Sequence, residues 1–202
     1  MITIVDYGVG NLFSLKCSLD RIGAECIVTD SQELIRSSEK IILPGVGAFK
    51  DAMDKLRSKG LDEVLIECAK VGTPLLGICL GMQMLFEESS EFGLCKGLNL
   101  IPGKVKELKG YIPENLDIPH MGWNALKITQ NKGIMKSINE GECVYFVHSY
   151  AAFTEDNYVT STAEYRATIT ASVQNGNVYG TQFHPEKSGE TGLRILKEFT
   201  LL

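Results

Sequence analysis

Cys79 sits in the run Gly77-Ile78-Cys79-Leu80-Gly81, where an apolar strand-like segment meets a helix-like one. This is the pattern of a nucleophile elbow with cysteine in the serine slot. A turn that sharp needs small neighbours, and Gly77 and Gly81 supply them. The turn lifts the thiol out at the carboxyl end of a sheet, where open α/β folds place their sites. A following helix points its positive end at the sulfur. A free thiol titrates near about 8.5, and a helix N-terminus lowers that value. Each unit of lowering favours thiolate by about 1.4 kcal/mol. The bland alternative is a core cysteine between two packing glycines.

A nucleophilic cysteine needs a base, and the base needs an orienter. The chain has three histidines, His120, His148 and His184. His184 opens His184-Pro185-Glu186 directly after a strand-like segment. In extended chain, residues two apart share a side, so Glu186 is expected beside the His184 ring, fixing its tautomer. Pro185 disfavours helix at the residue before it. A third piece, Leu43-Pro44-Gly45-Val46-Gly47, also follows a strand-like run. Its backbone N–H groups, with that of Leu80, are candidates to face a developing oxyanion. On its own it reads equally as an ordinary strand-to-helix turn.

These pieces must be held by regular elements. The first half alternates. Strand patterns cover 2–6, 25–29, 40–43 and 74–78; helical patterns cover 11–22, 51–57, 61–69 and 80–86. Such alternation predicts parallel βαβ units in a three-layer α/β domain. From 103 to 182 strand-like pieces dominate, at 125–129, 143–147, 158–164, 169–174 and 178–182, and 188–199 closes as a helix. A mixed sheet with an antiparallel portion follows. There is no internal repeat or linker-like tract, so one domain over residues 1–202 is expected.

Composition excludes several classes. The 202 residues are 44% hydrophobic and 22% charged, with net charge −5 from 20 basic and 25 acidic side chains. That mild acidity argues against nucleic acid or an anionic membrane as main partner. The apolar runs are far shorter than the roughly 20 residues of a membrane span, and the first residues lack a signal-peptide pattern. A cytoplasmic protein is expected. The six cysteines match no zinc spacing, and disulfides are not expected.

Taken together and in order, Pro44-Gly45-Val46-Gly47, Gly77-Ile78-Cys79-Leu80-Gly81-Met82-Gln83 and His184-Pro185-Glu186 resemble the class I (triad) glutamine amidotransferases. Longer blocks are similar to one branch of that family, the glutaminases serving a cyclase of histidine biosynthesis. They are Asp6-Tyr7-Gly8-Val9-Gly10-Asn11-Leu12, Pro119-His120-Met121-Gly122-Trp123-Asn124, Tyr145-Phe146-Val147-His148-Ser149-Tyr150 and Gln182-Phe183-His184-Pro185-Glu186-Lys187-Ser188.

The resemblance implies a flavodoxin-like three-layer fold with a mostly parallel central sheet. It implies Cys79, His184 and Glu186 as the triad and Val46 and Leu80 as oxyanion-hole donors. It further implies Gly47, Gln83, His148, Ser149 and Tyr150 as the glutamine pocket. The implied partner is a (β/α)₈-barrel cyclase subunit, in a heterodimer, with Asn11, Trp123, Tyr145 and Lys187 near the interface. The implied products are glutamate and, from the partner, imidazole glycerol phosphate and an aminoimidazole carboxamide ribotide. No metal or organic cofactor is implied. A rotating peptide near Val46 as the partner-controlled switch is also an implication of the family. The residues themselves contribute only Gly45 and Gly47, glycine being tolerant of unusual backbone angles. His120 is expected to be structural, and Trp123 is open to a core-filling reading. Other readings remain: the same chemistry in a surface-polysaccharide amino-sugar pathway, a cysteine-peptidase-like hydrolase, or an inactive binding subunit.

Overall fold

Five short runs form parallel strands in the order expected of a flavodoxin-like core: β2 (Cys26–Thr29), β1 (Ile2–Val5), β3 (Lys40–Leu43), β4 (Leu75–Ile78) and β13 (Val178–Thr181). The computed structural model describes residues 1–113 and 117–202. Alternation along the strands sorts side chains to two faces. Ile41, Leu43 and Leu75 join one apolar cluster, whereas Ile42, Leu76 and Ile78 join the other. The first cluster is covered by α3 (Phe49–Ser58) and α4 (Leu61–Lys70), through Phe49, Met53, Leu56, Val64 and Leu65. The second is covered by α1 (Leu12–Arg21) and α6 (Gly189–Thr200), through Leu15, Leu19, Ile195, Leu196 and Phe199. The result is helix, sheet, helix.

Beyond β13 the same nine-stranded sheet turns antiparallel: β12 (Thr168–Asn175), β11 (Val159–Glu164), β8 (His120–Ile128) and β9 (Cys143–His148). A second, four-stranded sheet runs β10 (Tyr150–Phe153), β7 (Ile101–Glu107), β5 (Phe86–Ser89) and β6 (Cys95–Lys96). It packs Phe86, Ile101, Val105 and Ala152 onto the first cluster.

Several local expectations change. The helix after Cys79, α5 (Leu80–Met84), stops before Phe86, because Phe86 enters β5 and pairs in parallel with Ile101. A short helix, α2 (Gln32–Arg36), is capped by the Ser31 hydroxyl, which accepts the Leu34 N–H at 3.3 Å. Strand β8 begins at His120, well before the expected residue 125, because its first half pairs with β9. No helix among the described residues is long and apolar enough to cross a membrane.

Candidate active site

The elbow exists because three glycines let backbone touch backbone. A Cβ on Gly77 would stand 2.6 Å from the Gly81 carbonyl oxygen, and one on Gly81 would overlap the Leu43 carbonyl. A Cβ on Gly45 would meet the Gly81 nitrogen and the Tyr7 hydroxyl at 2.8 Å. The end of β3, β4 and the start of α5 therefore meet backbone to backbone at these glycines. Cys79, at the junction, has φ 54° and ψ −111°. An L-residue there is strained, and strain of this kind persists only where the surroundings impose it. The Cys79 N–H donates to Thr181 O at 2.7 Å, and its carbonyl accepts the Gln83 N–H at 3.1 Å. Cys79 is 7% exposed and lines a cavity of about 420 Å³.

His184 enters the cavity from the end of β13. Its N–H donates to Tyr145 O at 3.0 Å, tying it to β9. Residue 184 is extended, but Pro185–Lys187 is a 3₁₀ turn, so Glu186 reaches the ring by way of a turn and not through the extended chain expected. Nδ1 and Glu186 Oε1 are 2.8 Å apart. A carboxylate only accepts, so Nδ1 carries the proton and Nε2 is left for the thiol side. Among the described residues Nε2 has no hydrogen-bond partner. Burial pulls the ring towards neutrality, but Cys79 and Glu186 outweigh it and raise its pKa to about 9.

The other two histidines are neutral. Burial drives His148 down to about 3, with His120 and His184 adding to the effect against the Tyr150 carbonyl. Burial holds His120 at about 4. His148 Nδ1 donates to Tyr150 O at 2.8 Å, so its Nε2 accepts from His120 Nδ1 at 3.0 Å. His120 Nε2 then accepts the Asn124 amide at 3.2 Å, while the ring stacks between Phe146 and Tyr165.

The cavity brings together Val46, Gly47, Cys79, Leu80, Gln83, His148, Ser149, Tyr150 and His184. Gly47 adopts φ +92° with open space around it. Gly45 does not: its role is close packing, which corrects the expectation that both glycines lend freedom to Val46. Among the described residues, no protein group accepts the N–H of Val46 or of Leu80.

Glu91, which sequence reading missed, also lines the cavity. Its carboxylate accepts the Phe49 N–H at 2.6 Å at the start of α3, and burial raises its pKa. Nothing in the surrounding Ser89-Ser90-Glu91 marks it; only the fold brings it here. A larger hollow of about 560 Å³, lined by Tyr111, Lys127 and Phe153 among others, holds no thiol or imidazole. Chemistry, not size, selects the site.

Trp123 is 59% exposed, which overturns the core-filling reading. Its ring lies 6.2 Å from that of Tyr145, over which Lys187 Nζ sits at 5.9 Å. Asn11 is half-buried at the start of α1, which packs on the Pro185–Lys187 turn. All six cysteines are free, and no group of three metal-ligating side chains clusters among the described residues.

The family model for glutamine amidotransferase class-I matches residues 3–201. The chain belongs to the class I glutamine amidotransferases. Among relatives of this amidotransferase, the imidazole glycerol phosphate synthase subunit HisH of Syntrophotalea carbinolica is 48% identical, covering 98% of both chains. The HisH subunit of Bacillus cytotoxicus is 49% identical over 98% of this chain and 93% of its own. A crystal structure of a glutamine amidotransferase superposes with TM-score 0.76 at 17% identity, covering 99% of this chain and 100% of the other. At that identity the likeness is one of fold.

Proposed function

We infer that this amidotransferase is the glutaminase subunit of an imidazole glycerol phosphate synthase, acting as one domain. The family match and the near-full-length HisH relatives support that reading. One observation carries the mechanism: the buried His184 ring is oriented by Glu186 through Nδ1, leaving Nε2 without a partner among the described residues, in the cavity that holds the Cys79 thiol.

In this reading His184 takes the Cys79 proton, and the thiolate adds to the glutamine side-chain carboxamide carbon. The N–H groups of Leu80 and Val46 receive the oxyanion. The C–N bond breaks as His184 protonates the departing nitrogen, giving ammonia and a glutamyl thioester. Water then loses a proton to His184 and attacks the thioester. The C–S bond breaks, and glutamate and the thiol are restored. Glu186 keeps the ring in one tautomer and stabilises its cationic form. Gly47, Gln83, His148, Ser149 and Tyr150 shape the glutamine pocket. Glu91, the one carboxylate on its wall among the described residues, suits the substrate's α-ammonium.

The exposed Met121, Trp123 and Lys187, with Tyr145 and Asn11, form the surface for a (β/α)₈-barrel cyclase subunit. That partner uses the ammonia to make imidazole glycerol phosphate and an aminoimidazole carboxamide ribotide. The test is reconstitution. The chain with its genomically neighbouring cyclase should form imidazole glycerol phosphate from glutamine. Glutamate without cyclised product would refute this pathway, and product with a different aminated sugar would favour the polysaccharide alternative.

A further inference from the structure

Gln182 is fully buried on the last turn of chain before His184, and the triad makes no use of it. Its side-chain orientation is forced by a chain of hydrogen bonds. The Tyr150 carbonyl can only accept, and it lies 2.9 Å from one end of the Gln83 carboxamide, so that end is the nitrogen. The same Gln83 Nε2 lies 3.0 Å from the Gln182 carboxamide, which must therefore present its oxygen there. The remaining end of Gln182 is the nitrogen, and it lies 3.8 Å from Cys79 Sγ. His148 donates to the same Tyr150 carbonyl and anchors the outer end. The Gln182 backbone N–H, on Ala171 O at 2.8 Å, fixes the near end.

We propose that Gln182 is a further catalytic residue, a preorganised amide donor to the Cys79 sulfur that stabilises its thiolate, aimed by Gln83. The proposal rests on Cys79 being the nucleophile. An N–H donor gains from charge on its acceptor, because hydrogen bonds to charged groups are stronger than neutral ones. The contact itself is buried, so that difference is shared little with solvent. In the neutral thiol the S–H donates to the Val147 carbonyl at 3.9 Å, so the Gln182 donor approaches the sulfur without competing with it. The ionisable groups around the sulfur are His184 with Glu186 behind it, His148, Glu91 and Tyr7. Of these His184 is the proton partner. Gln182 acts beside it without exchanging a proton.

The test reads the thiolate, not turnover. The rate of Cys79 alkylation by iodoacetamide is followed against pH, with the Cys79→Ser chain as background for the other thiols. Gln182→Leu removes the donor at nearly constant volume. The apparent pKa of alkylation should rise by about one unit. The rate at neutral pH should fall about three- to tenfold, once the greater nucleophilicity of a more basic thiolate is counted. Gln182→Glu keeps an oxygen for Gln83 and sets a carboxylate oxygen against the sulfur, so its apparent pKa should rise at least as far. The unmutated chain gives a readout independent of folding. The Gln182 side-chain amide protons should shift as the thiol ionises, and should not in Cys79→Ser. An unmoved alkylation profile in a folded variant, or an amide that ignores the thiol's titration, overturns the proposal. If Cys79→Ser abolishes glutaminase activity while either result is seen, the nucleophile stands and only the role of Gln182 falls.

Discussion

His184 Nδ1 and Glu186 Oε1 lie 2.8 Å apart, with both side chains all but sealed from solvent, at 2% and 3% exposed. A buried imidazole would ordinarily favour neutrality. Here the thiol on one side and the carboxylate on the other reverse that and carry the ring to about 9.

The sign of that shift sets a pH profile. Acylation needs the protonated ring as acid for the departing ammonia, so its rate should fall as pH rises through about 9. Glu186→Gln removes one of the groups that raise the ring, and the alkaline limb should move to lower pH. The loss in kcat should be shallower than that of His184→Ala, by roughly tenfold or more, as orienters cost less than bases. Single-turnover thioester formation across pH checks both. A Glu186→Gln limb unmoved, or moved upward, contradicts the assignment.

The two glycines flanking Val46 should respond differently. Gly45→Ala drives a methyl into the Gly81 nitrogen and the Tyr7 hydroxyl. Overpacking of that sort costs about 1–3 kcal/mol, to be read by urea unfolding. Gly47→Ala meets no atoms but strains a φ of +92°, so stability should change less. It should instead alter how strongly the partner activates the glutaminase, since one oxyanion donor is worth about 2.7–4 kcal/mol, or a hundred- to a thousandfold in rate. The rates compared are those of the chain alone, with partner, and with partner plus the partner's ligand. Equal rates in all three states would refute a switch at Val46.

Trp123→Ala should leave folding nearly unchanged, because the ring is mostly in solvent. Partner affinity should drop about thirtyfold, the equivalent of a hot-spot loss of about 2 kcal/mol. Calorimetric titration of the cyclase into each chain decides it. A destabilised chain with unchanged affinity would return Trp123 to a packing role.

The candidate site was legible where chemistry demands a residue type at a fixed spacing. A thiol at an elbow needs glycines two positions either side, and these are visible without a fold. The second sheet was not legible, because β5 reads Phe-Glu-Glu-Ser and β7 contains Pro102 and Gly103. Gly103 is there because a Cβ would press on the Phe153 carbonyl at 2.5 Å, a constraint that exists only once β10 lies alongside. Trp123 was ambiguous for a similar reason. Which face of β8 turns inward depends on pairing with β9, and that register buries His120 and Leu126 while exposing Met121 and Trp123. Glu91 lines the cavity while bonded to the start of α3, 42 residues away in sequence, a contact that exists only in the fold.

The most direct measurement is glutamine-dependent against ammonium-dependent synthesis by the complex carrying Cys79→Ser. A serine hydroxyl is far less acidic than a thiol, so it is poorly activated in a site arranged around a thiolate and an imidazolium, and the pocket and interface are otherwise untouched. Glutamate release and glutamine-driven product should vanish, while free ammonium still supports the cyclase at the unmutated rate. Retention of glutamine-driven turnover in that complex would contradict the assignment of Cys79 as nucleophile.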